Sequence, residues 1–252
     1  MIDLSTMRFG VGTHRSSAAP TGNRDMCIME AVAFMAGEPW SDEPECACPV
    51  ISRLLREWND LLSDKDRDRL LPAAKWVPKL IGSRHKDVEK RRAFMMLDSL
   101  IRTCTPMWFE LVPELRADAE NLRSLPELTD SVTASNAGAI GRVAYMRVQD
   151  INSVKRAIST DVAWDLAFNR AWVAVNCGGY IPMRECVLNT LYIKDRKGSL
   201  IASEAVPMAA RIASINRVNL HPTVKRQEDH LLDLLERMLA CEEPFQAENP
   251  DA

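Results

Sequence analysis

Apolar side chains recur every three or four residues along most of this chain, and this spacing constrains the fold more than any other feature. Residues 50–62 are typical, with apolar side chains one helical turn apart. Residues 223–241 show the pattern most clearly, because Val224, Leu231 and Met238 follow one another at intervals of seven. No stretch alternates as a half-buried strand does, so the pattern predicts an all-α protein.

Fourteen prolines divide the helical segments into short pieces. Because proline interrupts a helix interior, these breaks predict a single helical globule of roughly eight to ten helices. The one exception to the helical pattern is a short β-hairpin predicted around residues 195–198. We expect one continuous domain, in which a cysteine-containing helical part, residues 1–126, packs against a part with longer helices, residues 127–252.

Capping residues predict where the shorter helices begin and end. One helix is predicted to begin at Asp25, with Asn23 or Asp25 as its cap, and to end at Gly37. Ser63 and Asp66 predict a capping box at the start of another helix.

Three longer helices are predicted from the apolar spacing. The first runs from about residue 86 to residue 104. The second is a helical segment from residue 137 to about residue 175, with Ile140 and Ala144 in one apolar series, and Ser159 or Thr160 could cap a further helix within it. The last is capped by Thr223 and ends at Cys241.

The charge balance argues against several classes of partner. The 252 residues carry a formal charge of −3, with a sequence pI of about 5.9, so bulk attraction to nucleic acid or to an anionic membrane is not expected. No apolar run approaches the roughly 20 residues that span a bilayer. The first residues lack the basic start and apolar stretch of a signal peptide. We therefore expect no membrane association and a cytoplasmic location.

The cysteine count favours reduced thiols. Seven cysteines are an odd number, and a long chain without a signal peptide is an unusual place for a disulfide framework. Four of the cysteines are scattered and are expected to pack as small apolar side chains, namely Cys104, Cys177, Cys186 and Cys241.

The most distinctive motif is "CIMEAVAFMAGEPWSDEPECACPVI" at residues 27–51. Together with "GTH" at 12–14, "EWNDLL" at 57–62 and "LHPTVKRQEDHLLDLLERML" at 220–239, it resembles an uncharacterised family of helical proteins from actinobacteria and their phages. Residues 131–159 depart from that family's pattern. The resemblance implies a helical protein inside a bacterial cell, the cytoplasm of the host if a phage encodes it, and implies no activity.

Three cysteines and a histidine near the start of the chain are candidate metal ligands. Cys46 and Cys48 lie one residue apart in a proline-rich loop, Cys27 lies at the start of a buried helix, and His14 belongs to the irregular segment before it. Zinc prefers four tetrahedral ligands of sulfur and imidazole, so these residues could form a structural Cys₃His site, in which Asp42 or Glu30 could replace one ligand. The alternative is free thiols in a packed loop.

The same residues suggest two catalytic hypotheses. With a three-ligand zinc and a bound water, Glu30 could act as the general base of a hydrolase or deaminase, although the deaminase cysteine spacing is absent. Without a metal, Cys27 could act as a thiol nucleophile whose pKa is lowered by the helix dipole, with His14 as its base. The non-catalytic interpretation places Glu30 in a buried ion pair or on the wet side of its helix.

The stretch "SRHKDVEKRR" at residues 83–92 is the densest basic cluster. It could bind a nucleic-acid backbone, or it could form a solvated helix face with pairs such as Asp87 with Arg91. The solvated face is the simpler interpretation. Trp40 and Trp58 are expected to seal the neighbouring loop onto the core rather than to line a pocket.

The sequence contains no complete catalytic set, and we therefore expect a non-enzymatic helical protein that binds another protein. A metal- or thiol-dependent enzyme centred on Cys27, Glu30, Cys46 and Cys48 is the first alternative, with zinc as its cofactor. A nucleic-acid binder that uses residues 84–92 is the second alternative, which the acidic charge balance disfavours.

Overall fold

The computed structural model describes residues 3–12, 26–110, 113–130 and 221–242, together with residues 132–134, 136–137, 140, 143–144 and 147. Eight α-helices have both ends within these residues, and no β-strand occurs among them. The all-α prediction is confirmed. The hairpin predicted at residues 195–198 lies outside the described residues.

The helices follow one another with short connections. They are α1 (Ile28–Ala36), α2 (Pro49–Leu61), α3 (Asp64–Leu70), α4 (Ala73–Leu80), α5 (Lys86–Asp98), α6 (Thr105–Phe109), α7 (Arg116–Arg123) and α8 (His221–Ala240). A π-helical segment, Ser99–Cys104, joins α5 to α6, and a 3₁₀ turn, Pro113–Leu115, precedes α7. None of these helices combines the length and the apolar character needed to cross a membrane.

Helix α1 lies at the centre of the core. Six of its residues are buried, namely Ile28, Met29, Glu30, Ala31, Val32 and Ala33. It packs against α2 and α4, while α5 contacts α2 and α8. One hydrophobic cluster includes side chains from Met7 to Met238. The described helices therefore share a single core.

Local capping chemistry explains several helix ends. Gly37 ends α1 in the left-handed conformation, with φ of 73°, as predicted. The Ser63 hydroxyl caps α3 by accepting a hydrogen bond from the Asp66 amide at 3.3 Å, which is one half of the predicted capping box. Helix α8 begins at His221, so the prediction that Thr223 caps it is wrong. Pro222 fits the first turn because the N–H that proline lacks has no partner there.

The helix predicted to begin at residue 137 begins earlier, because every described residue between 132 and 147 is helical. The Asp130 carboxylate accepts a hydrogen bond from the Thr133 amide at 2.7 Å, and the Thr133 hydroxyl accepts one from the Asp130 amide at 3.2 Å. This reciprocal pair is a capping box. The Thr133 amide also holds the pKa of Asp130 below its usual value. The predicted helix beyond residue 147 lies outside the described residues.

A buried arginine joins the N-terminal segment to the helices. The Arg67 side chain is 1% exposed. Its guanidinium donates hydrogen bonds to the carbonyl oxygens of Phe9 at 3.2 Å, Asn59 at 2.8 Å and Leu62 at 2.6 Å. The Asn59 amide in turn donates to the Gly10 carbonyl at 2.7 Å. Residues 9 and 10 are therefore held against the end of α2 and against α3.

Helix α8 completes the core from a distant part of the sequence. Its apolar side contacts α5 and α6 and is fully buried at Leu231, Leu234, Leu235 and Met238. Ion pairs border this side: Glu228 lies 2.7 Å from Arg69, and Glu236 lies 2.5 Å from Lys79. The pair between Lys79 and Glu236 is partly exposed to solvent and contributes little, whereas the Glu228 side chain is buried. The four fully buried apolar side chains supply most of the docking free energy.

We expect Leu234→Ala to lower the free energy of unfolding by about 2–5 kcal/mol, because it leaves a cavity in a fully buried site. The matched control is Lys225→Ala on the same helix, where the side chain is 56% exposed and the expected change is within about 0.5 kcal/mol. Urea unfolding followed by circular dichroism measures both. Equal stabilities for the two variants would contradict the docking of α8 through its leucines.

Candidate functional site

Cys27 and Glu30, the predicted catalytic pair, form the capping box of α1. The Glu30 carboxylate accepts a hydrogen bond from the Cys27 amide at 2.7 Å, and the Cys27 sulfur accepts one from the Glu30 amide at 3.4 Å. Cys27 is therefore the N-cap, and α1 begins at Ile28 rather than at Asp25. Both residues are fully buried. The box satisfies N–H groups that water cannot reach at this end of the helix.

Glu30 also anchors the loop that follows α1. Its second carboxylate oxygen accepts a hydrogen bond from the Trp40 indole N–H at 3.2 Å. The Trp40 ring meets Phe34 edge to face, with ring centroids 6.5 Å apart, and packs against the core. The prediction that Trp40 seals the loop is confirmed, and Trp58 is likewise fully buried in the core.

A second carboxylate shapes the loop around Cys46. Glu38 accepts hydrogen bonds from the Glu45 amide at 2.6 Å and from the Cys46 amide at 2.8 Å. Burial opposes the ionisation of Glu38, but its hydrogen bonds to the Cys46 side chain and to these amides hold its pKa below the usual value. Burial and the bond to Glu38 together raise the pKa of the half-buried Cys46 thiol.

Cys48 lies at the N-cap of α2, where its thiol makes no capping hydrogen bond. Its amide donates to the Ser83 hydroxyl at 3.0 Å. Two residues earlier, the Cys46 carbonyl accepts a hydrogen bond from the Arg84 amide at 3.0 Å. These bonds fasten the cysteine loop to the turn between α4 and α5.

The five cysteines among the described residues are free thiols. Within the same residues, no group of three or more His, Cys, Asp or Glu side chains is arranged to hold a metal ion. His14, the fourth ligand of the predicted Cys₃His site, lies outside them. The zinc hypothesis for His14, Cys27, Cys46 and Cys48 stays a prediction.

The thiol-nucleophile hypothesis predicts a lowered pKa for Cys27, which is the wrong direction. Burial is the main cause that raises the pKa of this thiol to about 12, and the charge of Glu30 raises it further. The Glu30 amide acts in the opposite direction, as a helix N-terminus should, but its effect is smaller than that of burial. At neutral pH the sulfur is therefore a protonated cap.

The basic cluster at residues 83–92 does not present its cations on one surface. The Arg92 side chain is 1% exposed and donates hydrogen bonds to the carbonyl oxygens of Ser83 at 2.6 Å and Cys241 at 3.4 Å. Arg91 lies 3.2 Å from Glu127, not beside Asp87 as predicted. One arginine is thus part of the interior, and another is paired.

Three exposed apolar side chains lie on one side of the helix that follows Asp130. Val132, Ile140 and Val143 are 60%, 37% and 57% exposed. On a regular helix, positions with these spacings fall within about 80° around the axis. Ala144, four positions after Ile140 and about 40° from it on a regular helix, is buried, so the predicted apolar series has one exposed and one buried member. We call Val132, Ile140 and Val143 the outward row.

A cavity of about 480 Å³ lies between α5, the C-terminal end of α8 and the loop before Asp130. Ser99, the first residue of the π-helical segment that follows α5, lines one side, and His230 lines it from α8. The Ser99 hydroxyl oxygen and the His230 Nε2 atom are 2.7 Å apart. Burial lowers the pKa of His230, and Arg237 lowers it further, whereas Asp233 and Asp98 oppose the shift.

No sequence pattern pairs Ser99 with His230, because the two residues are 131 positions apart. One feature of the sequence does point to this cavity. Ser99 and Thr103 are hydroxyl side chains four positions apart in the second half of the predicted helix 86–104, and both line the cavity.

Glu30→Gln should lower the free energy of unfolding by about 1–3 kcal/mol. The carboxamide has one oxygen, so its NH₂ group faces the N–H of either Cys27 or Trp40 and leaves a buried donor unpaired. The control is Glu43→Gln, in the same loop region with a side chain 71% exposed, which should change stability by less than about 0.5 kcal/mol. Chemical unfolding of both variants measures the two changes in stability. Equal changes would contradict the structural role of Glu30.

Cys27 and Cys104 should resist alkylation in the folded protein. Burial raises the pKa of each thiol to about 12, so almost none of either thiol is in the reactive thiolate form at pH 8. Iodoacetamide labelling followed by peptide mass spectrometry should modify both cysteines only after urea is added. Labelling of Cys27 in the folded protein at the rate of a free thiol would contradict its role as a protonated cap.

His230 should make stability depend on pH. Its pKa is lowered in the folded state from an unfolded value near 6.5. The resulting stabilisation is complete above that pH and is lost as the pH falls through the folded-state pKa. The difference in unfolding free energy between the wild type and His230→Gln should therefore be constant above about pH 7 and shrink towards about pH 5. A constant difference across this range would contradict the shift.

Comparisons with protein-family models, with curated proteins and with solved structures find no match to this chain. The resemblance to the actinobacterial and phage family rests on the quoted motifs and stays a prediction.

Proposed function

We propose that this chain is a non-enzymatic helical protein that binds another protein in the cytoplasm of a bacterial host. The observation that carries the proposal is the outward row, Val132, Ile140 and Val143, which leaves three β-branched side chains open to water on one helix face. Apolar side chains about one and two helical turns apart are the anchors through which a helix binds a partner helix or groove.

The outward row has the dimensions of a small helical recognition surface. Its first and last members are 11 residues apart, which corresponds to roughly 16 Å along a helix axis. Full burial of a valine or isoleucine side chain is worth about 1.5–3 kcal/mol. A partner that covered all three would therefore gain several kcal/mol from this row. Arg147, which is 54% exposed and lies 3.2 Å from Asp118, borders the row and adds a polar edge.

The contacts of the predicted catalytic pair support a binding function over an enzymatic one. The hydrogen bonds of Cys27 and Glu30 cap α1 and hold Trp40, and both side chains are sealed from solvent. The burial of Arg92 likewise weakens the nucleic-acid hypothesis. A metal- or thiol-dependent enzyme and a nucleic-acid binder remain alternative hypotheses.

The test is affinity capture from an actinobacterial lysate, chosen because of the family resemblance, with chemical crosslinking at the surface. The variant V132Q/I140Q/V143Q removes the outward row and keeps helix-forming residues. Its matched control is V11Q/I81Q, which replaces exposed apolar residues elsewhere, 56% and 37% exposed. We expect a protein partner that the wild type and the control retain, and that the triple variant binds at least about tenfold more weakly.

Circular dichroism and thermal unfolding must first show that both variants fold as the wild type does. The proposal is wrong if the wild type captures no partner, or if the triple variant retains the partner as strongly as the control. Turnover of a small molecule that depends on Cys27 or Glu30 would favour the enzyme hypothesis instead.

A further inference from the structure

The cavity beside Ser99 and His230 is built from side chains that the outward row does not involve. Its volume of about 480 Å³ falls within the range of small-molecule sites. It is bounded by α5 on one side and by the end of α8 on the other. The loop that carries Glu127 forms a third side.

Both signs of charge face this cavity. Arg91 and Arg237 supply guanidinium groups from α5 and α8, and Asp98, Glu127 and Glu242 supply carboxylates. Arg91 lies 3.2 Å from Glu127, and Arg237 lies 2.8 Å from Asp233. A simple anion would meet the carboxylates, and a simple cation would meet the guanidiniums.

Neutral polar groups complete the lining. The Ser99 hydroxyl is hydrogen-bonded to His230 at 2.7 Å, and Thr103 adds a second hydroxyl one π-helical turn later. Single π turns inside α-helices frequently occur at functional sites, because the extra residue redirects side chains. Met95 and Ala240 add apolar lining.

We propose that this cavity binds a small zwitterion of the α-amino-acid class. Its carboxylate would pair with Arg91 or Arg237, and its ammonium group would pair with Glu127 or Asp98. The side chain of the ligand would lie against Met95. This chemistry matches a lining of mixed charge better than a ligand with one charge does.

The existing ion pairs do not block such a ligand. Glu127 is 58% exposed and Arg237 is 50% exposed. Exposed pairs of this kind contribute about 1 kcal/mol or less, so a ligand that offers both a carboxylate and an ammonium group can replace them. Asp98 is held more firmly, because its Oδ1 atom accepts hydrogen bonds from Arg102 and from the Leu128 amide, both at 2.9 Å.

The proposal is tested by isothermal titration calorimetry of the full chain with glycine, L-leucine, L-glutamate and L-arginine, each up to about 10 mM. We expect at least one of these to bind. Its N-acetyl derivative, which lacks the ammonium charge, and its methyl ester, which lacks the carboxylate, should each bind at least about tenfold more weakly.

Two variants locate the binding. Glu127→Gln and Arg237→Gln change half-exposed groups of the cavity and should each weaken binding about tenfold. Lys225→Gln, an exposed site on α8 outside the cavity, should leave binding unchanged, and so should the variant that lacks the outward row. The proposal is overturned if none of the four amino acids binds, or if neither cavity variant weakens the binding.

Discussion

The buried carboxylate of Glu30 is the contact on which the N-terminal half of this structure depends. Helix α1 is buried in the core from its first turn, so the N–H groups at its start cannot be satisfied by water. Glu30 accepts a hydrogen bond from the Cys27 amide with one oxygen and from the Trp40 indole with the other. The same side chain thus begins the central helix and closes the loop after it.

Other polar side chains act at similar junctions. Glu38 orders the backbone before Cys48, Arg67 joins residue 9 to the end of α2, and Arg92 lies between the turn before α5 and the end of α8. Each is a charged group whose hydrogen bonds go mostly to backbone atoms. Arg67 and Arg92 are buried, whereas Glu38 is only partly buried. Breaking the bonds of either arginine leaves a buried charge unpaired, which favours one arrangement of the segments that it joins.

The sequence alone predicts the helix caps, helix ends and helical segments that depend on contacts between residues near one another in the chain. The Ser63 cap, the Gly37 terminus and the helical periodicity of α2 and α8 depend on residues within a few positions, and each prediction was confirmed. The cap of α1 was misplaced because a cysteine seldom caps a helix, and the side chains of Asn and Asp are stronger acceptors.

Contacts between distant residues explain the remaining differences. The pKa of Cys27 was predicted from the helix terminus alone, whereas burial by other helices determines its direction. Arg92 looked like a surface cation because its partner carbonyl at Cys241 is 149 positions away. The Ser99 to His230 pair was not predicted for the same reason. Residue type and spacing carry no information about which helix will cover which side chain.

The placement of α8 has a consequence for folding during translation. The leucines of α8 cover apolar surface on α5 and α6, yet the ribosome produces them some hundred residues later. At synthesis rates of about 5–20 residues per second, that surface has no native cover for roughly 5–20 seconds. During that time a chaperone, or a neighbouring nascent chain, can bind this apolar surface before α8 of the same chain does.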